Sequence, residues 1–271
     1  MIPLGDSDFP TTPSELADAL RTALREFVRL PDERAAVSVD GERYPDADRL
    51  RVDLSGGVLA VRGRADLAGV GQPQPGPSFR SLGVLAHPVV IEGSDLHFDL
   101  TAADVRFHFD RNRGGRPVMT LAGATDGRLT VRVSRAELEA LVTAKAREVV
   151  RAKGVEIERI DFRLDQLSPR SMRLGAKADV QTKALFKTVR GAVTLTGRVD
   201  IDDRLVARLS ELNVAGEGMM IAMAVSLIRG RVTALEGREF PLTAFALGDV
   251  RLRDVQLGIG DELAVTAAFG S

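Results

Sequence analysis

Stretches in which apolar and polar residues alternate dominate the chain. Leu50, Val52 and Leu54 alternate with charged neighbours, and Leu59, Val61, Gly63 and Ala65 do so after the turn Ser55-Gly56-Gly57. The spacing predicts a hairpin for these two. Leu96, Phe98 and Leu100 give a further strand, and Val105, Phe107 and Phe109 another, with two more over 118–123 and 129–133. The cleanest pattern lies at 160–209. There Ile160, Phe162 and Leu164 are followed by Met172, Leu174, Ala176, Ala178 and Val180. A long strand over 189–201 and a shorter one over 205–209 complete that block. Strands over 240–247, 250–259 and 263–269 close the chain. One apolar and one polar face per strand is the mark of an antiparallel sheet with a solvated side.

Three stretches change period. Thr12-Pro13-Ser14-Glu15 opens a helix with a cap, a first-turn proline and a capping-box glutamate. Leu16, Leu20, Ala23, Leu24 and Phe27 form its apolar face, and Pro31 stops it. Ser134-Arg135-Ala136-Glu137 opens a second helix, expected to run to about Lys153, with Leu138, Leu141 and Val142 on its stripe. The third, 218–235, carries no charge from Met219 to Ile228. It is shorter than the ~20 apolar residues that cross a bilayer, so a helix there has to be buried by protein. The expected fold class is therefore α+β, with long helices wrapped by a highly curved antiparallel β-sheet. One domain over 1–271 is expected, with a Pro/Gly-rich loop at 71–78.

Composition narrows the function classes. Lys plus Arg is 37 and Asp plus Glu is 38, a balance that argues against nucleic acid as a main partner. With no Trp and one Tyr, base-stacking platforms are scarce. The absence of Cys excludes disulfides, thiol nucleophiles and cysteine-ligated metals. The N-terminal stretch has neither a basic nor an apolar signal region, so a soluble, cytoplasmic protein is expected, or an envelope protein if an export signal was trimmed.

Signals for catalysis are poor: no nucleophile elbow, P-loop or dinucleotide fingerprint stands in its proper context. Of three histidines, His97 and His108 share strands with Asp99 and Asp110. A metal site from those four is the weakest reading, because a cross-strand set on a solvated face is usually plain surface. No metal, cofactor or enzyme activity is expected. The apolar inner face says more. It mixes large residues with small ones such as Gly123, Ala176, Ala178, Gly191, Gly197 and Ala267. Small residues there either let another element approach closely or leave volume for an apolar ligand. The candidate lining is Met219, Met220, Met223 and Leu227 with Phe98, Phe107, Phe109, Leu195 and Phe245. Lys145 falls on the apolar stripe of the second helix, where it either snorkels or meets an anionic head group.

The second half of the chain, 129–269, supports a resemblance. After VRVS comes a capped helix, then the strands IDFRLD, MRLGAKADV, GAVTLTGRVDI and RLVARLSELNV, the apolar run and EGREFPLTAFALGDVRLRDVQLGIGDELAVTAAFG. This order resembles the bacterial phospholipid-binding proteins of the mycobacterial lipomannan-elongation type, placed in the tubular lipid-binding superfamily. The resemblance implies binding or transfer of a phospholipid or other acyl lipid without catalysis, with transient contact to a membrane surface. A structural or interaction protein with a filled core is the alternative, and a metal-dependent hydrolase the least favoured.

Overall fold

The computed structural model describes residues 2–5, 8–32, 36–59, 72–151, 155–184, 187–217, 221, 225, 229–230, 232–244 and 250–271. Strands make up 64% of it and helices 16%. In order, the first half holds β1 (Ile2–Pro3), α1 (Pro13–Leu24), β2 (Val28–Arg29), β3 (Val37–Asp40), β4 (Asp46–Asp53), β5 (Gly57–Leu59), β6 (Gln74–Ile91), β7 (Ser94–Arg111), β8 (Pro117–Gly123) and β9 (Asp126–Ser134). The second holds α2 (Arg135–Arg151), β10 (Val155–Ser168), β11 (Ser171–Ala184), β12 (Lys187–Ile201), β13 (Val206–Glu217), β14 (Glu239–Pro241), a 3-10 turn (Leu242–Ala244), β15 (Arg251–Ile259) and β16 (Glu262–Gly270).

These proportions correct the expected fold class. The protein is mostly β, with helices of 12 and 17 residues among the described elements, rather than long helices wrapped by a sheet. Its larger sheet is mixed, not antiparallel. Eleven strands belong to it, with the main order β15, β16, β9, β7, β6, β4, β3. β4 does not turn back at Ser55-Gly56-Gly57 into the expected hairpin, of whose second strand Val61, Gly63 and Ala65 lie outside the described residues; β4 and β5 run on in one direction instead. Each lies parallel to β6, Leu50 against Leu82 and Val58 against Val90. Alternation shows which side chains share a face, but it is blind to strand direction, so parallel neighbours read the same as a hairpin.

Two other expectations moved. α1 ends at Leu24 rather than near Pro31, because Val28 and Arg29 pair with Leu59 and Val58 instead. β6 begins at Gln74, inside the stretch read as a loop. Its register against β7 slips between Pro75 and Ser78, so Gly76 and Pro77 fall in the irregularity, where a missing N–H costs the ladder little. A side chain at Gly76 would meet the Phe107 carbonyl oxygen at 2.9 Å.

The chain forms two compact units. The first comprises Met1–Arg132, Thr243–Asp254 and Val265–Ser271; the second comprises Val133–Leu242 and Val255–Ala264. The first unit's core gathers Leu4, Leu16, Leu20, Leu50, Phe79, Val105 and Met119, all 3% exposed or less. The second unit carries a five-stranded sheet, β10 through β14 in sequence order, antiparallel throughout. Its smaller core joins Ile157, Val180 and Val214 to Ile221 and Val225. Among the described residues of 218–235, Ile221, Val225, Arg229, Gly230, Val232 and Thr233 are helical.

Candidate functional site

The second unit's sheet carries the site. Its register sets Ile160 opposite Ala178, Phe162 opposite Ala176 and Leu164 opposite Leu174. On the other side of β11, Ala178, Ala176 and Leu174 face Val193, Leu195 and Gly197. These residues share one apolar face, because successive side chains on a strand alternate sides. One end of the face is covered: Ile157, Val180 and Val214 are buried under Ile221 and Val225. Phe162, Leu174, Ala176, Leu195 and Val199 remain half-exposed.

α2 reaches the same cluster through Ala146. Leu138, Val142 and Ala146 stand four residues apart and so form one row on the helix. None of the residues Arg135 to Glu148 is buried, and Leu138, Leu141 and Val142 are half-exposed. α1 behaves differently, burying Leu16, Ala17, Ala19, Leu20 and Ala23.

The small residues have specific neighbours. A Cβ on Gly191 would lie 2.6 Å from Ile221 Cγ1 and 2.5 Å from the Glu217 carbonyl oxygen. One on Gly197 would lie 2.7 Å from Leu212 Cδ2. In the first unit, the Phe269 ring occupies the space over Gly127, and the Arg106 guanidinium comes within 3.0 Å of a Cβ on Gly123. The glycines therefore admit the chain's own side chains. Gly175 differs, since a Cβ there would meet nothing within 4 Å.

Gly175 lies in a cleft of about 630 Å³. Asp161, Arg163, Asp165, Lys177 and Thr194 line it from the polar rows of β10, β11 and β12, and Arg135 from the start of α2. The same polar side holds a tighter network nearer the strand ends. Asp200 accepts from the Ser171 hydroxyl at 2.6 Å and from Arg198 Nε at 2.9 Å. Burial pushes the Asp200 carboxyl up, but the Ser171 and Arg198 hydrogen bonds outweigh it and hold the group below its ordinary value. Ser171, at 6% exposure, is a buried polar side chain with its partner in place.

The residues selected from sequence fall into different surroundings. Phe107 and Phe109 are buried in the first unit's core. Phe107 meets Phe79 edge-on at 6.0 Å, and Phe109 stacks on Phe9 at 5.0 Å. Phe98, also in the first unit, pairs with Ala86 and is half-exposed. Leu195 packs against the second unit's cluster. Lys145 is exposed and 3.6 Å from Glu148, one turn along the helix. Met219, Met220, Met223, Leu227 and Phe245 lie outside the described residues.

Of the four metal candidates, Asp99 is engaged elsewhere. It takes His87 Nε2 at 2.7 Å and Arg132 at 2.7 Å, and the His87 ring lies 5.5 Å from that of His97. No group of three or more potential ligands converges among the described residues. His87 reaches Asp99 at the register slip between Ala86 and Val89, a contact for which the sequence carries no periodic signal. Arg135 and Gly175 were missed likewise: Arg135 was read only as part of the capping box at 134–137, and Gly175 was not singled out.

No family model matches the chain, and no curated protein does, so the resemblance to the lipomannan-elongation type gains no support from either. A solved structure described as "Crystal structure of lipopolysaccharide binding protein" aligns over 65% of this chain and 77% of its own, at 10% identity and a TM-score of 0.27. A TM-score that low carries no argument about fold or ligand. No described helix is long and apolar enough to cross a membrane.

Proposed function

We propose that the chain binds a lipid or other apolar molecule, without catalysis, on the half-open apolar face of the second unit. The observation that supports this is a pair of incompletely covered apolar rows on one cluster. Phe162, Ala176 and Leu195 belong to the sheet, and Leu138 and Val142 to α2, whose Ala146 packs on that cluster. An acyl chain laid along them would gain about 0.8 kcal/mol per buried methylene.

Native mass spectrometry with solvent extraction of the purified chain tests the reading. A bound lipid mass, and uptake of a fluorescent fatty acid or phospholipid that Phe162→Asp reduces at least tenfold, is the expected result. Arrival at apo mass together with no uptake by the wild-type chain sinks it. A second reading, a structural protein with a filled core, is favoured by Ile221 over Gly191 and Leu212 over Gly197. The same null result would establish it.

A further inference from the structure

The cleft over Gly175 is lined by Phe162, Leu164 and Ala176 as well as by the polar rows of β10, β11 and β12, and those polar rows give it a chemistry that the apolar face lacks. The register places Asp161, Lys177 and Thr194 in one row and sets Arg163 opposite Gly175. Its two carboxylates are already engaged within their own strand: Asp161 by Arg159 at 2.5 Å, and Asp165 by Arg163 at 3.1 Å. Lys177 reaches Glu217 at 3.3 Å, with both side chains open to solvent. An exposed pair of that kind is worth little and yields readily to a better partner. The Arg135 guanidinium has no partner among the described residues. The floor at Gly175 is open, with no atom within 4 Å of where a Cβ would stand.

We infer that this cleft recognises a carboxylate or phosphate group. Arg135 is the principal contact, because a planar guanidinium matches the oxygens of either group in pairs. Lys177 supplies a second charge, and the Thr194 hydroxyl a neutral donor, from adjacent strands. Gly175 keeps the floor low enough for the group to approach. The anion comes either from a free small molecule or from the head group of an amphiphile. The inference does not depend on a lipid tail in the second unit.

Calorimetric titration of the full chain with inorganic phosphate, dodecyl phosphate and dodecanol decides the matter. The expected result is binding of at least one phosphate compound, weakened about tenfold by Arg135→Gln, the loss of one charged hydrogen-bonding partner. Gly175→Val, which favours a strand and fills the floor, abolishes it. Arg80→Gln, on the surface of the first unit, leaves it unchanged. Binding of inorganic phosphate identifies a free anion as sufficient, and binding of dodecyl phosphate alone identifies an amphiphile. Inorganic phosphate binding with no affinity for either dodecyl compound upholds the cleft while removing support for the lipid reading. The inference is overturned if neither phosphate compound binds, if inorganic phosphate fails to bind while dodecanol binds as well as dodecyl phosphate, or if both cleft variants match wild type while their circular dichroism is unchanged.

Discussion

Single residues show how little a composition of small side chains says about empty space. Gly191 and Gly197 were legible as positions where something comes close. Whether a ligand or the chain itself fills that space depends on which distant segment packs there, not on the strand's own pattern. At Gly191 the occupant is Ile221, thirty residues away along the chain. Gly191→Val would drive a side chain into Ile221 and the Glu217 carbonyl, with a cost of about 1–3 kcal/mol. Urea unfolding should show this as a lower midpoint at an unchanged slope. A midpoint equal to wild type would mean that Ile221 does not sit on this glycine. The phenylalanines teach the same lesson in reverse. Phe107 and Phe109 lie on the apolar face that alternation assigned them, yet each is closed in by another ring.

Elements were legible where a cap or a period marks them and illegible where pairing decides. Both helix starts were readable. Thr12 Oγ1 accepts from the Glu15 amide at 3.2 Å, and Ser134 Oγ accepts from the Glu137 amide at 3.1 Å. The Glu15 carboxylate departs from the box, turning back to the Thr11 amide and hydroxyl at 2.8 and 2.9 Å. Those bonds hold its pKa below the ordinary value. The strands β10 to β13 were readable too, since each keeps one apolar face. The parallel placement of β4 and β5 was not, because it rests on hydrogen bonds that no side chain announces. The two helices should differ in how much their caps matter. α1 is anchored by five buried residues, whereas no residue of α2 from Arg135 to Glu148 is buried. Ser134→Ala removes about 1 kcal/mol of capping from a helix with little packing in reserve. Faster amide exchange is therefore expected throughout α2, with Thr12→Ala raising exchange in α1 only in its first turn. Equal responses in both helices would refute this.

For the whole molecule, the division into two units leaves little trace in the sequence: alternation runs on through residues 129–133 and 263–269, and breaks only at Asp254, between Leu252 and Val255, where a segment of the first unit gives way to one of the second. What separates the units is the partition of buried side chains into two clusters. Leu16, fully buried in the larger one, should cost about 2–5 kcal/mol when replaced by alanine. Hydrogen exchange on Leu16→Ala should speed up in β6 and β7 while β11 and β12 keep their protection. Uniform acceleration would show one cooperative body instead. The order of the segments bears on biosynthesis. The second unit's main segment, Val133–Leu242, lies between the pieces of the first. Phe269, which fills the space over Gly127, and Val250 both belong to the first unit's core. A chain emerging from the ribosome thus exposes residues 1–132 early yet lacks two of their core partners. It can assemble β10 to β13 while the first unit still waits. That interval is when the core of the first unit stands unsealed at Gly127, and when a chaperone would have most to hold.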